Sequence, residues 1–135
     1  MSATADPGLP GILVVDDNPQ VLEGMRALLE HDGYRVQVAT SGRAALSLLR
    51  SGDRDLPGLV ILDLAMSGMD GWDFRAEQLR DARLAEIPVI VASADPLASL
   101  AQNMGVVAVM QKPLDPKKLL DVVASTALSA PRPES

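Results

Sequence analysis

The sequence predicts a three-layer α/β fold: five parallel strands in one sheet, doubly wound with helices on both faces. Three observations carry this. Short apolar runs alternate with amphipathic segments five times along the chain. Several of the runs are rich in β-branched residues without polar alternation, as strands covered on both faces require. Strand–helix repetition of this kind closes into a parallel sheet through right-handed crossovers.

The elements follow in order. The first strand is Ile12 to Val15. Asn18-Pro19 then reads as an N-cap with Pro at the first helical position. Val21, Leu22, Met25, Leu28 and Leu29 share one helical face, and Gly33 supplies a stop. Tyr34 to Ala39 alternates, which predicts a strand near an edge with one wetter face. Ser41 caps a second helix through Ala44, Ala45, Leu48 and Leu49, ending near Gly52. Leu59 to Leu62 is the third strand. A third helix begins around Gly71 and carries Trp72, Phe74, Gln78 and Leu79. Val89 to Ala92 is the fourth strand, followed by a short helix around Pro96 to Asn103. Val106 to Met110 is the fifth strand. Asp115-Pro116 repeats the cap-plus-Pro signature and opens a helix through Leu119, Leu120, Val122 and Val123. Residues 1–10 and 129–135 are polar and Pro-containing, and read as disordered extensions of one domain over 11–128.

Composition narrows the function. A chain of 135 residues is one domain and buries roughly two-thirds of its unfolded surface, so it needs no staple. Tyr34, Trp72 and Phe74 are its only aromatics, too few for base-stacking or an aromatic-lined groove. A net charge of -6 without a basic run lacks the electrostatic footprint of nucleic-acid or anionic-membrane binding. The absence of Cys excludes thiolate metal sites and disulfides and fits a reducing cytosol. No apolar run approaches the ~18 residues of a membrane span. The N-terminus has no signal-peptide pattern, so a cytoplasmic location is expected.

In an open α/β sheet, ligands bind beyond the C-terminal strand ends, where strand order reverses. The first strand ends in Asp16-Asp17, the third in Asp63, the fourth in Ala92-Ser93-Ala94 and the fifth in Gln111-Lys112-Pro113. Three carboxylates on one rim repel one another, which should raise a pKa or open the site unless a cation neutralises them. Oxygen ligands without His or Cys suit Mg²⁺ or Mn²⁺. With Lys112 and the Ser93 hydroxyl added, the set suits phosphoryl transfer, with Asp63 as the nucleophile forming an acyl phosphate. Taken singly, Asp16-Asp17 also reads as a helix-capping acidic pair, and Asp63–Lys112 as a structural ion pair.

The four segments ILVVDDNP, VILDLAMSGMDG, VIVASAD and MQKPL together resemble the response-regulator receiver domain, the CheY-like family, over about residues 11–128. The resemblance implies a flavodoxin-like fold with strand order 2-1-3-4-5. It implies a protein that accepts a phosphoryl group from a histidine kinase or histidine phosphotransfer protein in a Mg²⁺-dependent reaction. Asp63 would be the phosphoacceptor. Asp17 would bind Mg²⁺ directly, Asp16 mainly through water, and the Ala65 carbonyl would complete the protein ligands. Ser93 and Lys112 would contact phosphoryl oxygens. A cis peptide before Pro113 is also common in the family. Such a chain catalyses only its own phosphorylation and dephosphorylation, so it is not expected to be an enzyme. With no output domain visible, it would signal by binding an unidentified protein or by relaying the phosphoryl group.

Several positions depart from the family pattern. Val109 stands where an aromatic switch residue is usual, and it has no ring to swing. The stretch from Ser93 to Lys112 is short, which implies a stunted or loosened fourth helix. Ser67 replaces a common Pro, implying a more mobile loop, and Leu114 a common Phe. Ala65 and Asp95 occupy the positions that tune acyl-phosphate hydrolysis, and Ala65 cannot orient a water, so hydrolysis should be slow. Met66 and Met69, beside Gly68, are expected to pack over the site. His31, the only His, falls at a helix end where a cation is favourable, not in a donor role. Three other functions fit the residues less well. An aspartyl-phosphate hydrolase of the haloacid-dehalogenase type needs a second Asp where Ala65 stands. A flavodoxin-like cofactor binder needs a phosphate cradle, and DDNPQ is acidic. A phosphorylation-independent scaffold would not need all five polar site residues.

Overall fold

The computed structural model describes residues 9–51, 56–66 and 68–129. Strands β1 (Gly11–Val15), β2 (Arg35–Ala39), β3 (Leu59–Leu62), β4 (Val89–Ser93) and β5 (Ala108–Gln111) alternate with helical elements. These are α1 (Pro19–His31), α2 (Gly42–Ser51), α3 (Gly71–Arg80), a 3₁₀ segment (Pro96–Met104) and α4 (Pro116–Ser129). Every strand pair is parallel, and the order is β2-β1-β3-β4-β5 as expected.

Strand side chains alternate between two cores, because successive Cβ atoms point to opposite faces. Ile12, Val14, Ile61 and Ile90 meet Leu22, Met25 and Leu29 of α1 and Leu119 and Val123 of α4. Leu13, Val15, Val60 and Val91 meet Leu46 and Leu49 of α2, Phe74 of α3 and Ala98 and Ala101 of the 3₁₀ segment. β2 is an edge strand with an exposed alternation, as its sequence pattern requires.

The capping signals act as read. Asn18 Oδ1 accepts hydrogen bonds from the Gln20 and Val21 amides at 2.9 and 3.3 Å. Ser41 Oγ accepts from the Ala44 amide at 3.0 Å, and Asp115 Oδ1 from the Lys117 amide at 3.0 Å. Gly33, at φ 98°, turns the chain out of α1 into β2, a conformation side chains resist. Asp70 caps α3 through the Asp73 amide at 2.9 Å, a cap the sequence reading did not name.

Three details differ from expectation. β5 begins at Ala108 rather than Val106: the chain turns at Gly105, where φ is 72°, and pairing with β4 starts only at Ala108, while Val106 packs in the core. On α2, Leu46 rather than Leu48 completes the buried stripe with Gly42, Ala45 and Leu49, which is the i, i+3, i+4, i+7 spacing. On α3, Leu79 is exposed and the inner face is Gly71, Phe74, Arg75 and Gln78. Two polar side chains occupy that face because their hydrogen bonds are satisfied inside, as described below. The loosened fourth helix is a 3₁₀ segment of nine residues. Residues 1–8, 130–135, Gly52 and Ser67 lie outside the described residues, and so do the expectations placed on them; α4 continues through Ser129. Among the described residues, no helix is long and apolar enough to cross a membrane.

Candidate functional site

Strand order reverses between β1 and β3, whose neighbours lie on opposite sides. The C-terminal ends of these strands therefore open onto a crevice with no helix directly above it. The ladder continues one residue past both strands: the Asp16 amide donates to Ala39 O at 3.1 Å and the Asp63 amide to Val15 O at 2.9 Å. Those bonds fix the backbone that carries the carboxylates. Asp16, Asp17 and Asp63 bring their oxygens within 4.8 Å of one another, with Asp17 exposed and the other two buried.

Lys112 arrives from the far edge. β5 leaves the sheet at Gln111, which pairs with Ser93, and the Lys112 amide donates to Ser93 O at 2.9 Å. The Lys112 Nζ forms an ion pair with Asp16 Oδ2 and stands 3.6 Å from Asp63 Oδ2. The Lys112–Pro113 peptide is cis, as the resemblance implied. Ser93 is fully buried at the end of β4, and its Oγ accepts from the Asp95 amide at 3.1 Å. Leu62 pairs with Val91, so the next residue of each strand sets Asp63 beside Ala92 and adjacent to Ser93. Ala65 is exposed, and its amide donates to Asp63 Oδ1 at 3.2 Å. The Asn18 amide likewise donates to Asp16 Oδ1 at 2.9 Å. Val109, half-buried, packs against the α2–α3 core.

The electrostatics follow from this geometry. Burial raises the Asp63 pKa, and Asp16 adds to the rise; Lys112 and the Ala65 amide oppose it. Loss of water thus outweighs the carboxylate repulsion that the sequence alone suggested as the main cause. Three carboxylates facing one ammonium leave two formal negative charges, which a divalent cation would balance. The donors are all oxygens, and His31 lies at the exposed end of α1. This set fits a hard cation.

The loop after Asp63 is held at both ends by glycines. A Cβ on Gly71 would stand 2.4 Å from Asp63 O and 2.7 Å from Leu64 Cα. A Cβ on Gly42 would stand 2.8 Å from Met69 O. Met66 is buried and Met69 partly buried in the same core. The sequence reading named Gly71 only as a helix start and gave Gly42 no role. Nothing local marks a glycine needed for close approach rather than for its φ. Beside Lys112, Val21, Met25, Leu28, Pro113, Leu114 and Leu119 line an apolar groove of about 270 Å³ between α1 and α4.

Comparison with known proteins gives the same picture. The response regulator receiver domain profile matches residues 12–124. A 14.6 kDa protein of Leptolyngbya boryana is 35% identical over 123 residues, covering 89% of this chain and 92% of that protein. Protein PilH of Pseudomonas aeruginosa is 29% identical, covering 83% and 93%. Response regulator Rre1 of Synechocystis is 34% identical over 83% of this chain, which spans only 49% of that protein. Among solved structures, the signal receiver domain of a signal transduction histidine kinase from Syntrophus aciditrophicus superposes with a TM-score of 0.82 at 29% identity, covering 93% and 96%. With the profile match spanning all three strand-end carboxylates and Lys112, the chain belongs to the response regulator receiver domain family.

Proposed function

We propose that the chain is a phosphorylation-controlled signalling module whose phosphoacceptor is Asp63. The reading rests on one observation above all: three strand-end carboxylates converge within 4.8 Å, with the Lys112 ammonium 3.6 Å from Asp63. An Asp63 oxygen attacks the phosphorus of a donor phosphohistidine. The P–N bond breaks, the imidazole nitrogen keeps the electron pair and takes a proton from water, and a mixed anhydride forms on Asp63. Asp16, Asp17, Asp63 and the Ala65 carbonyl would hold Mg²⁺, or Mn²⁺ in its place. When bound, the cation offsets the negative charge of the incoming phosphoryl group. Lys112 supplies a further positive charge to a phosphoryl oxygen, and Ser93 a hydroxyl donor.

The donor would be a histidine kinase or histidine phosphotransfer protein, acting in the cytoplasm. Its docking must cover the rim, and the apolar groove between α1 and α4 opens beside Lys112. The acceptor turns over once per transfer, so the chain acts as a switch rather than as an enzyme on small substrates. Phosphorylation adds about −1.5 to −2 charges at the rim, and an unidentified protein partner would read the result.

The test is incubation with acetyl phosphate and Mg²⁺, followed by intact mass. The wild type should gain one phosphoryl group, and Asp63→Asn should gain none. Equal labelling of both would refute the assignment.

A further inference from the structure

Arg75 lies on the inner face of α3, 6% exposed. Among the described residues, no carboxylate lies within ion-pair distance of it. Its Nε and Nη2 both donate to Met104 O, at 3.1 and 2.9 Å, and Nη2 also to Gly105 O at 3.3 Å. Its Nη1 donates to Gln78 Oε1 at 2.9 Å. Gln78 is in turn fixed, its Nε2 donating to Leu84 O and Ile87 O at 3.0 Å each. A buried guanidinium without a counter-charge is costly unless its donors are satisfied. This one is spent on the carbonyls that end the 3₁₀ segment, which lack a helical donor of their own.

The first half of α3 is thereby engaged at two points, Gly71 and Arg75. Its first residue, Gly71, touches the Asp63 carbonyl with no room for a methyl group, and the Gly71 amide donates to Leu64 O at 3.1 Å. One turn later, the Arg75 fork grips the turn at Met104–Gly105, where Gly105 has φ +72°. That turn joins a nine-residue 3₁₀ segment to the edge strand β5. Runs of 3₁₀ helix beyond three or four residues are uncommon and have poor hydrogen-bond geometry. The segment therefore offers low resistance to rearrangement. It exposes Leu100, and Val107 follows it, also exposed.

We propose that Arg75 is a positioning residue that transmits the state of the Asp63 loop through α3 to the 3₁₀ segment and its exposed apolar residues. This rests on Asp63 being the phosphoacceptor. It supplies a route that does not need a ring at Val109. Movement of the Asp63–Leu64 backbone displaces Gly71, the helix carries the displacement rigidly for one turn, and the bidentate fork moves Met104 and Gly105 with it.

The test is hydrogen exchange on the full chain, with and without acetyl phosphate and Mg²⁺, with intact mass recorded on the same samples. In the wild type, phosphorylation should change exchange of the amides from Ala98 to Val107 by about fivefold or more. In Arg75→Met, phosphoryl uptake should persist while that change is lost. Arg75→Lys keeps the charge without the fork; it should show a reduced change, and it carries the comparison if the Met variant does not fold. A phosphorylated wild type without the exchange change, or equal changes in wild type and both variants, overturns the role of Arg75 and leaves the acceptor assignment standing. A wild type that takes up no phosphoryl group overturns both.

Discussion

Gly71→Ala is the substitution whose effect the structure constrains most tightly. The added Cβ would stand 2.4 Å from Asp63 O and 2.7 Å from Leu64 Cα, against an ordinary contact of at least 3.4 Å. Both neighbours are backbone, so no side chain can turn aside. The start of α3 and the acceptor loop must separate by about 1 Å. Overpacking of this kind costs about 1–3 kcal/mol, and the better helix propensity of Ala returns up to about 1 kcal/mol. A net loss of about 1–2 kcal/mol should appear as a lower urea midpoint with an unchanged m value. The same shift displaces the nucleophile, and a misplacement of about 1 Å can cost about a hundredfold in rate. Labelling by acetyl phosphate should therefore slow by about tenfold to a hundredfold. Gly24→Ala is the control: its Cβ meets nothing within 4 Å on α1, so it should stabilise by about 0.5–1 kcal/mol. A Gly71→Ala protein with the wild-type midpoint and labelling rate would refute this reasoning.

The charge on Asp63 has a stability signature. Its folded pKa is raised, chiefly by burial, so the folded protein holds that proton more tightly than the unfolded chain. The resulting stabilisation is fully present below the ordinary value of 3.8 and is lost as pH rises through the folded value. In metal-free buffer, Asp63→Asn should thus melt above the wild type at neutral pH, and the gain should vanish as pH falls toward 3.8. A variant that melts lower at neutral pH would mean that the Lys112 pairing outweighs burial. The acyl phosphate should be long-lived, because Ala65 has no polar group to orient an attacking water. A phosphoprotein half-life of seconds, measured by mass after removal of donor, would contradict this.

Much of this was legible in the sequence because the signals are local. Asn18-Pro19, Ser41 and Asp115-Pro116 announce helix starts through hydrogen bonds that reach only two or three residues. Parallel pairing then forces every strand end to one rim, so Asp16, Asp17, Asp63, Ser93 and Lys112 could be grouped before any coordinates. What stayed hidden depends on contacts between distant segments. Gln78 was placed on α3 but given no partner, and Arg75 was given no role; it is the distant carbonyls of Met104, Leu84 and Ile87 that turn them inward. The available clue was the Gly71, Phe74, Arg75, Gln78 spacing, an i, i+3, i+4, i+7 stripe interrupted by charge. The dominance of burial over repulsion at Asp63 was equally out of reach, since it depends on how completely the strand end is covered.

The central claim is that these carboxylates form one site for a dication, and calorimetric titration with Mg²⁺ tests it most directly. The wild type should bind one Mg²⁺ per chain, with affinity weakened by about tenfold or more in Asp17→Asn and in Asp63→Asn. Undiminished binding in both variants, or none by the wild type, would contradict the account.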